Sequence, residues 1–132
     1  MEKINLKTNS RVELIDITDR IQEAVSKAKI KEGICFVFCP HTTAGLTINE
    51  NADPSVKKDI INTLNKIVPA AAAYSHSEGN ADSHIKSSLL GSSLSVFIEG
   101  GALALGTWQG ICFCESDGPR SRQVWIKLVD SR

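Results

Sequence analysis

The chain has 132 residues, suited to one domain with a sizeable core, and its 42% hydrophobic and 23% charged residues are ordinary for a globular protein. Fifteen basic residues balance fifteen acidic ones, which argues against a general nucleic-acid or acidic-membrane binder, since such proteins carry a basic excess. No run approaches the roughly 20 apolar residues of a membrane span, and MEKINLKTNS lacks the apolar core of a signal peptide, so the expected location is the cytoplasm.

In chain order, KINLK (3–7) and RVELIDI (11–17) alternate apolar and polar residues as two half-buried strands would, with TNS as a turn between them. Thr18 or Asp19 can cap a helix to about Ala28, with Ile21, Ala24, Val25 and Ala28 on one face. GICFVFC (33–39) reads as a central strand and AGLTINE (44–50) as its hairpin partner or neighbour. Asp53 caps a second helix with Pro54 in its first turn; Val56, Ile60, Ile61, Leu64 and Ile67 form its apolar face, and Pro69 ends it. Residues 70–83 read as an irregular loop long enough to carry function, and HIKSSLLG as a short helix closed by Gly91. Strands follow at 93–99, 102–106, 110–115 and 123–129. Strands dominate and do not alternate one-for-one with helices. The fold class is therefore α+β: a single compact domain with a mainly antiparallel sheet and two or three helices.

Four cysteines, Cys35, Cys39, Cys112 and Cys114, lie in strand-like runs at spacings unlike a zinc knuckle, and read as buried, reduced thiols. The three histidines, His41, His76 and His84, sit at strand ends or in loops, off the apolar faces. Three imidazoles suit zinc or another borderline divalent ion with an open position for water or substrate. Asn49, Glu50 and Asp53 add acceptors fit for a metal or a general base, although Asp53 is also an ideal helix cap. In GTWQGICFCESDGPRSR, Trp108 offers a stacking face and Gln109 an amide; Asp117-Gly118 reads as a hairpin turn, and Arg120 and Arg122 can clamp a phosphate or carboxylate. Lys86, Ser87 and Ser88, read as near a helix start, can hold an anion.

The stretches HTTAGLTINENADPSV, NADSHIKSSLLGSSL and LALGTWQGICFCESDGPRSR, in this order and spacing, closely resemble the YjbQ family, also called UPF0047 or secondary thiamine-phosphate synthase. The likeness covers nearly the whole chain, so residues 1–132 are expected to form one YjbQ-like domain. The resemblance implies a compact homotrimer with polar pockets at or near the subunit interfaces. It implies a wall of His41, Thr42, Thr43, Asn49, Glu50 and Asp53, met by His76 and His84, with Trp108, Gln109, Glu115 and Arg120 approaching from the last hairpin. On that basis His41, Glu50, Asp53 and His84 are the catalytic candidates. Thr42, Thr43, Asn49, Lys86, Ser87, Trp108, Gln109, Glu115 and Arg120 are ligand-binding candidates, and His41, His76 and His84 metal ligands for zinc or magnesium.

The implied activity is a weak thiamine-phosphate synthase. It joins a hydroxymethylpyrimidine diphosphate to a thiazole phosphate and releases pyrophosphate. The competing readings are a metal-dependent hydrolase of a phosphorylated small molecule, a non-catalytic metal- or anion-binding trimer, and polar motifs that only satisfy groups buried between subunits. The expected partners are other copies of the chain and a phosphorylated small molecule, with no nucleic acid and no membrane.

Overall fold

The computed structural model describes residues 1–131. Its elements are β1 (Glu2–Lys7), β2 (Glu13–Asp16), α1 (Thr18–Ala28), β3 (Gly33–Phe38), β4 (Ala44–Glu50), α2 (Pro54–Ile67), α3 (Ala81–Leu90), β5 (Ser93–Glu99), β6 (Ala102–Leu103), β7 (Gln109–Glu115) and β8 (Ser121–Asp130). They form a large sheet in the order β1-β8-β3-β5-β6 and a small one in the order β2-β7-β4. Every described strand pair is antiparallel, as the composition of elements predicts.

Alternation along the strands decides which side chains enter the core. Ile4, Leu6, Cys35, Val37, Val96, Ile98, Val124 and Ile126 of the large sheet meet Ala44, Leu46, Ile111 and Phe113 of the small one. Helix α1 adds Ile21, Ala24 and Val25 from one stripe. All four cysteines are buried free thiols, and burial pushes the Cys35 thiol up to about 11.

The pairing differs from the sequence reading in a consistent way. β1 and β2 are not a hairpin: β1 pairs with β8 and β2 with β7, in separate sheets. β3 and β4 part likewise, β3 joining β5 and β8 while β4 joins β7. Asp117-Gly118 is no hairpin turn, because β7 and β8 also lie in different sheets. A Cβ at Gly118 would strike the Ser10 carbonyl and the Thr8 hydroxyl, so glycine serves a close crossing there. The tight hairpin is β5–β6, where Gly100 and Gly101 both take positive φ (57° and 82°) between the paired Glu99 and Ala102. Neither Thr18 nor Asp19 caps α1; Ile17 holds that position, and Asp16 Oδ1 accepts the Thr18 N–H and hydroxyl.

Helix α3 begins at Ala81, inside the expected loop, and buries Asp82 in its first turn. Ser87 and Ser88 consequently lie in its last turn. Helix α2 has the expected cap, Asp53 accepting from Ser55, but none of its residues is fully buried. α3 is pressed onto β4 at Gly45, where an added Cβ would meet the Gly91 carbonyl at 2.8 Å, and Leu46 N donates to that same carbonyl. Gly45→Ala should therefore push the end of α3 away and cost about 1–3 kcal/mol; the midpoint of urea unfolding measures it, with the slope unchanged.

Candidate functional site

The expected site residues divide between the two ends of β4. The seven residues of that strand put Ala44 and Glu50 about 20 Å apart. At the near end are His41, Thr42, Thr43, Glu115, Arg120 and Arg122; at the far end are Asn49, Glu50, Asp53, Trp108 and Gln109. Glu50 pairs with Gln109 and Ala44 with Glu115, so β7 keeps the same division. The wall predicted from one continuous motif is thus not continuous within one chain.

The far-end residues are occupied locally. Asn49 Oδ1 accepts the Glu50 N–H and Glu50 Oε2 the Ala52 N–H. Asp53 Oδ1 accepts the Ser55 N–H and hydroxyl, which hold its carboxyl below the usual range. Gln109 Oε1 accepts the Gly106 N–H across its turn. Trp108 is 64% exposed, and its carbonyl accepts the Asn51 N–H.

At the near end, a buried carboxylate and guanidinium join four chain segments. Arg122 donates to both oxygens of Glu115, through Nε at 2.8 Å and through Nη2, and Nη2 also donates to Thr43 Oγ1 at 2.9 Å. The Thr8 hydroxyl donates to Glu115 Oε1 and accepts from the Arg120 N–H. Burial pushes the Glu115 carboxyl up, but the Arg122 and Thr8 hydrogen bonds, the Asp117 N–H and the Arg122 charge outweigh it and hold the group below its ordinary value. Arg120, the expected anion clamp, instead pairs with Asp117 at 2.8 Å.

Beside this knot, His41, Asn5, Leu6, Lys7, Ser121, Arg122 and Gln123 line a pocket of about 480 Å3. The Gln123 backbone N–H lies 2.9 Å from His41 Nε2. The same Nε2 lies 3.2 Å from the Gln123 carbonyl, so it accepts from the amide in one tautomer and donates to the carbonyl in the other. Desolvation and the Arg122 charge both lower the His41 pKa, outweighing the opposing Gln123 and Glu115 contributions.

His76 and His84 do come together, with edge-to-face rings 5.1 Å apart, and His76 Nε2 lies 3.6 Å from Glu78 Oε2. His84 stands between two further pockets: a polar one with Thr42, Ser87, Ser88, Gly91 and Ser92, and an apolar one with Tyr74, Ser75, His76, Ala81 and Ile85. Lys86 is 1% exposed and turns away from both, donating to Asn65 Oδ1 and Asp82 Oδ2. Asp82 also takes both Arg11 nitrogens. The anion site expected of Lys86, Ser87 and Ser88 at a helix start therefore does not form: the serines occupy the helix C-terminus and the lysine is spent.

The metal expectation meets two obstacles within one chain. His41 Nε2, a natural ligating nitrogen, is already engaged by the Gln123 backbone. Among the described residues, no three histidine, cysteine, aspartate or glutamate side chains converge to hold an ion. The residues present in one chain do not fit a three-histidine centre.

Lys7, Ser121, Gln123, Tyr74 and Ser92 enter these pockets without having been singled out in the sequence. Lys7 and Gln123 alternate outward on their strands, which was readable; the register that brings β1 beside β8 was not.

The arrangement is that of a compact α+β domain with pockets beside His41 and on either side of His84. The family model for the UPF0047 protein YjbQ-like proteins matches residues 2–131, and the chain belongs to that family. It is 54% identical to a UPF0047 protein of Methanocaldococcus jannaschii over 98% of this chain and 94% of that one. It is 47% identical to the UPF0047 protein YugU of Bacillus subtilis, over 98% of each. A crystal structure of an uncharacterized conserved protein of the YjbQ/UPF0047 family from Clostridium acetobutylicum superposes with a TM-score of 0.96 at 51% identity, covering 98% of this chain and 100% of that one.

Glu115 and Asp82 set the acid limit of the fold. Burial opposes the Asp82 charge too, but Arg11 and Lys86 overcome it, so both carboxyl groups have folded values below their unfolded ones. The unfolded state then takes up protons first as pH falls, so their contribution is complete above the ordinary carboxylate range of about 4 and is lost progressively below it. Denaturant titrations should show nearly constant stability from neutral pH to about 5 and a steep loss under 4. Glu115→Gln should remove about 3–5 kcal/mol at neutral pH, by leaving Arg122 buried and unpaired, and should flatten the acid limb.

Proposed function

We propose that the protein is an enzyme that binds a phosphorylated small molecule in the His41 pocket, and that its reaction is of the thiamine-phosphate synthase kind. The observation that supports this is the pocket that places an exposed lysine, Lys7, and a histidine beside the Ser121 hydroxyl. The other near-end cations, Arg11, Lys86, Arg120 and Arg122, are each paired with a carboxylate.

In that reaction the thiazole nitrogen attacks the pyrimidinyl-methyl carbon, the C–O bond breaks, and both electrons leave with pyrophosphate. Negative charge grows on the leaving oxygens. Lys7 supplies a countercharge and a His41 ring N–H a hydrogen bond, while the contacts of Nε2 with the Gln123 backbone hold the ring in place. No side-chain nucleophile is required. A metal-dependent hydrolase has less support, because one chain does not assemble the ligand set, and Glu50 and Asp53 lie a strand's length from His41.

The same reading includes the homotrimer that the resemblance implies. The outer face of the large sheet carries Phe36, Phe38, Phe97 and Val129, all exposed, with Phe97 at 69%. Strand register aligns Ile34 with Phe97 and Val129, and Phe38 with Trp125, giving an apolar stripe along β3 that Ser95 and Lys127 flank at Phe36. Apolar surface of this kind marks association. The rigid chain holds the Trp108 end and the His41 end apart, so the two can share a ligand only across copies.

Pyrophosphate release from the two phosphorylated substrates is the primary assay. His41→Ala should lower kcat about 100-fold, and Lys7→Ala should raise KM about tenfold. Binding of the diphosphate that depends on Lys7 but yields no pyrophosphate would leave a non-catalytic anion-binding trimer; unaltered turnover in both variants would sink the reading. Phe97→Asp should convert a trimer to monomers in sedimentation velocity, and an unchanged sedimentation coefficient would remove this face from the interface.

A further inference from the structure

The pockets on either side of His84 have no part in the phosphate reading, and their chemistry selects the opposite charge. The polar pocket, about 400 Å3, lies at the C-terminal end of α3 and is lined by Thr42, His84, Ser87, Ser88, Gly91 and Ser92, without a lysine or arginine. Two of its hydroxyls have committed their protons: Ser87 Oγ donates to the Ala44 carbonyl at 2.6 Å and Ser88 Oγ to the His84 carbonyl at 3.0 Å. Their oxygens can then only accept from a ligand. The pocket lies at the end of α3, which carries the partial negative charge of a helix C-terminus, although the Ser87 and Gly91 carbonyls already accept from the Gly91 and Leu46 N–H groups. Two hydroxyls and a helix end therefore ask for a hydrogen-bond donor, while the Thr42 and Ser92 hydroxyls can act either way.

The positive charge on α3 does not cancel this. Lys86 follows His84 by two residues, about 200° around the helix, and is tied to Asp82 and Asn65. Arg11 reaches the same Asp82.

The second pocket, about 390 Å3, shares His84 and is formed by Tyr74, Ser75, His76, Ala81 and Ile85. Its character is apolar and aromatic. The Tyr74 hydroxyl donates to the Pro69 carbonyl, which fixes the ring in place. Glu78, beside His76, is the acidic group at its edge. An aromatic face and a nearby carboxylate suit the apolar body of a ligand here and disfavour an anion.

We propose that the two pockets form one binding site for an organic amine, with the ammonium group at the C-terminal end of α3 and the apolar body against Tyr74 and Ile85. His84 is the shared wall and touches both parts of the ligand. Binding at this site is separate from the His41 pocket, so either assignment can fail without the other.

Benzylamine, benzyl alcohol and benzoate share one ring and differ in charge and donor capacity, which makes them suitable probes. Titrated into the full chain and followed by calorimetry and by the histidine ring proton signals, benzylamine should bind saturably and shift the His84 resonances. Benzyl alcohol should bind more weakly and benzoate not at all. Ser88 is exposed, so Ser88→Lys should fold normally while placing a cation in the ammonium position; it should weaken benzylamine at least about tenfold, the expected size of one lost charge-assisted contact. Tyr74→Ala, which leaves the polar pocket intact, should weaken benzylamine and benzyl alcohol alike. Benzoate binding as tightly as benzylamine, benzylamine binding indifferent to Ser88→Lys, or no benzylamine binding at millimolar concentration would each overturn the assignment.

Discussion

The buried pair of Glu115 and Arg122, with Thr8 and Thr43 attached, is the contact on which the near end of the molecule depends. Thr8 follows β1, Glu115 ends β7, Arg122 opens β8 and Thr43 precedes β4. β1 and β8 belong to the large sheet, β4 and β7 to the small one. One charged knot thus fastens the two sheets at the point where the chain crosses between them. Such a pair contributes little net stability over an apolar substitute, but leaving it half-made is expensive. Its value is positional. It fixes the 41–43 segment through Thr43, and with it the ring of His41, whose Nε2 lies against the backbone of the next residue of the same strand, Gln123.

A consistent electrostatic pattern follows. Arg11, Lys86, Arg120 and Arg122 all answer to carboxylates, and Asp82 serves two of them. Charges that a sequence presents as ligand clamps are consumed in holding α3 and the β7–β8 crossing to the body of the protein. What is left for ligands is modest: Lys7 at one pocket, and hydroxyls with a helix end at another. The two pockets adjoin successive residues, His41 and Thr42, yet differ in the sign of charge they favour.

Much of the fold could be read from local pattern. The period-two strands, the α1 stripe of Ile21, Ala24 and Val25, the Asp53 cap and the burial of the cysteines all depend on neighbours close in sequence. Pairing could not be read this way. Three successive strand pairs that looked like hairpins belong to different sheets, because the connecting segments are crossings and nothing in TNS or Asp117-Gly118 distinguishes a crossing from a turn. The candidate site suffered from the same blindness. Residues 41–56 form a single motif in the sequence, but an extended strand carries its two halves to opposite ends of the molecule. The extra first turn of α3 mattered as much. By starting at Ala81 it moved Ser87 and Ser88 from the positive to the negative end of a helix dipole.

The cysteines have a consequence for how the protein can be observed. Burial raises the pKa of every one of the four, Cys114 most strongly, so almost none of the thiolate is present while the sheets are packed. Cys35 and Cys39 lie under the large sheet, and Cys112 and Cys114 sit on the central strand of the small one. A thiol reagent added to the native protein would find Cys35 and Cys39 only during excursions that part the sheets, and Cys112 and Cys114 only when the helices lift from the other face of the small sheet. The protein carries its own clock for internal opening, with a separate hand on each sheet and no engineered label required.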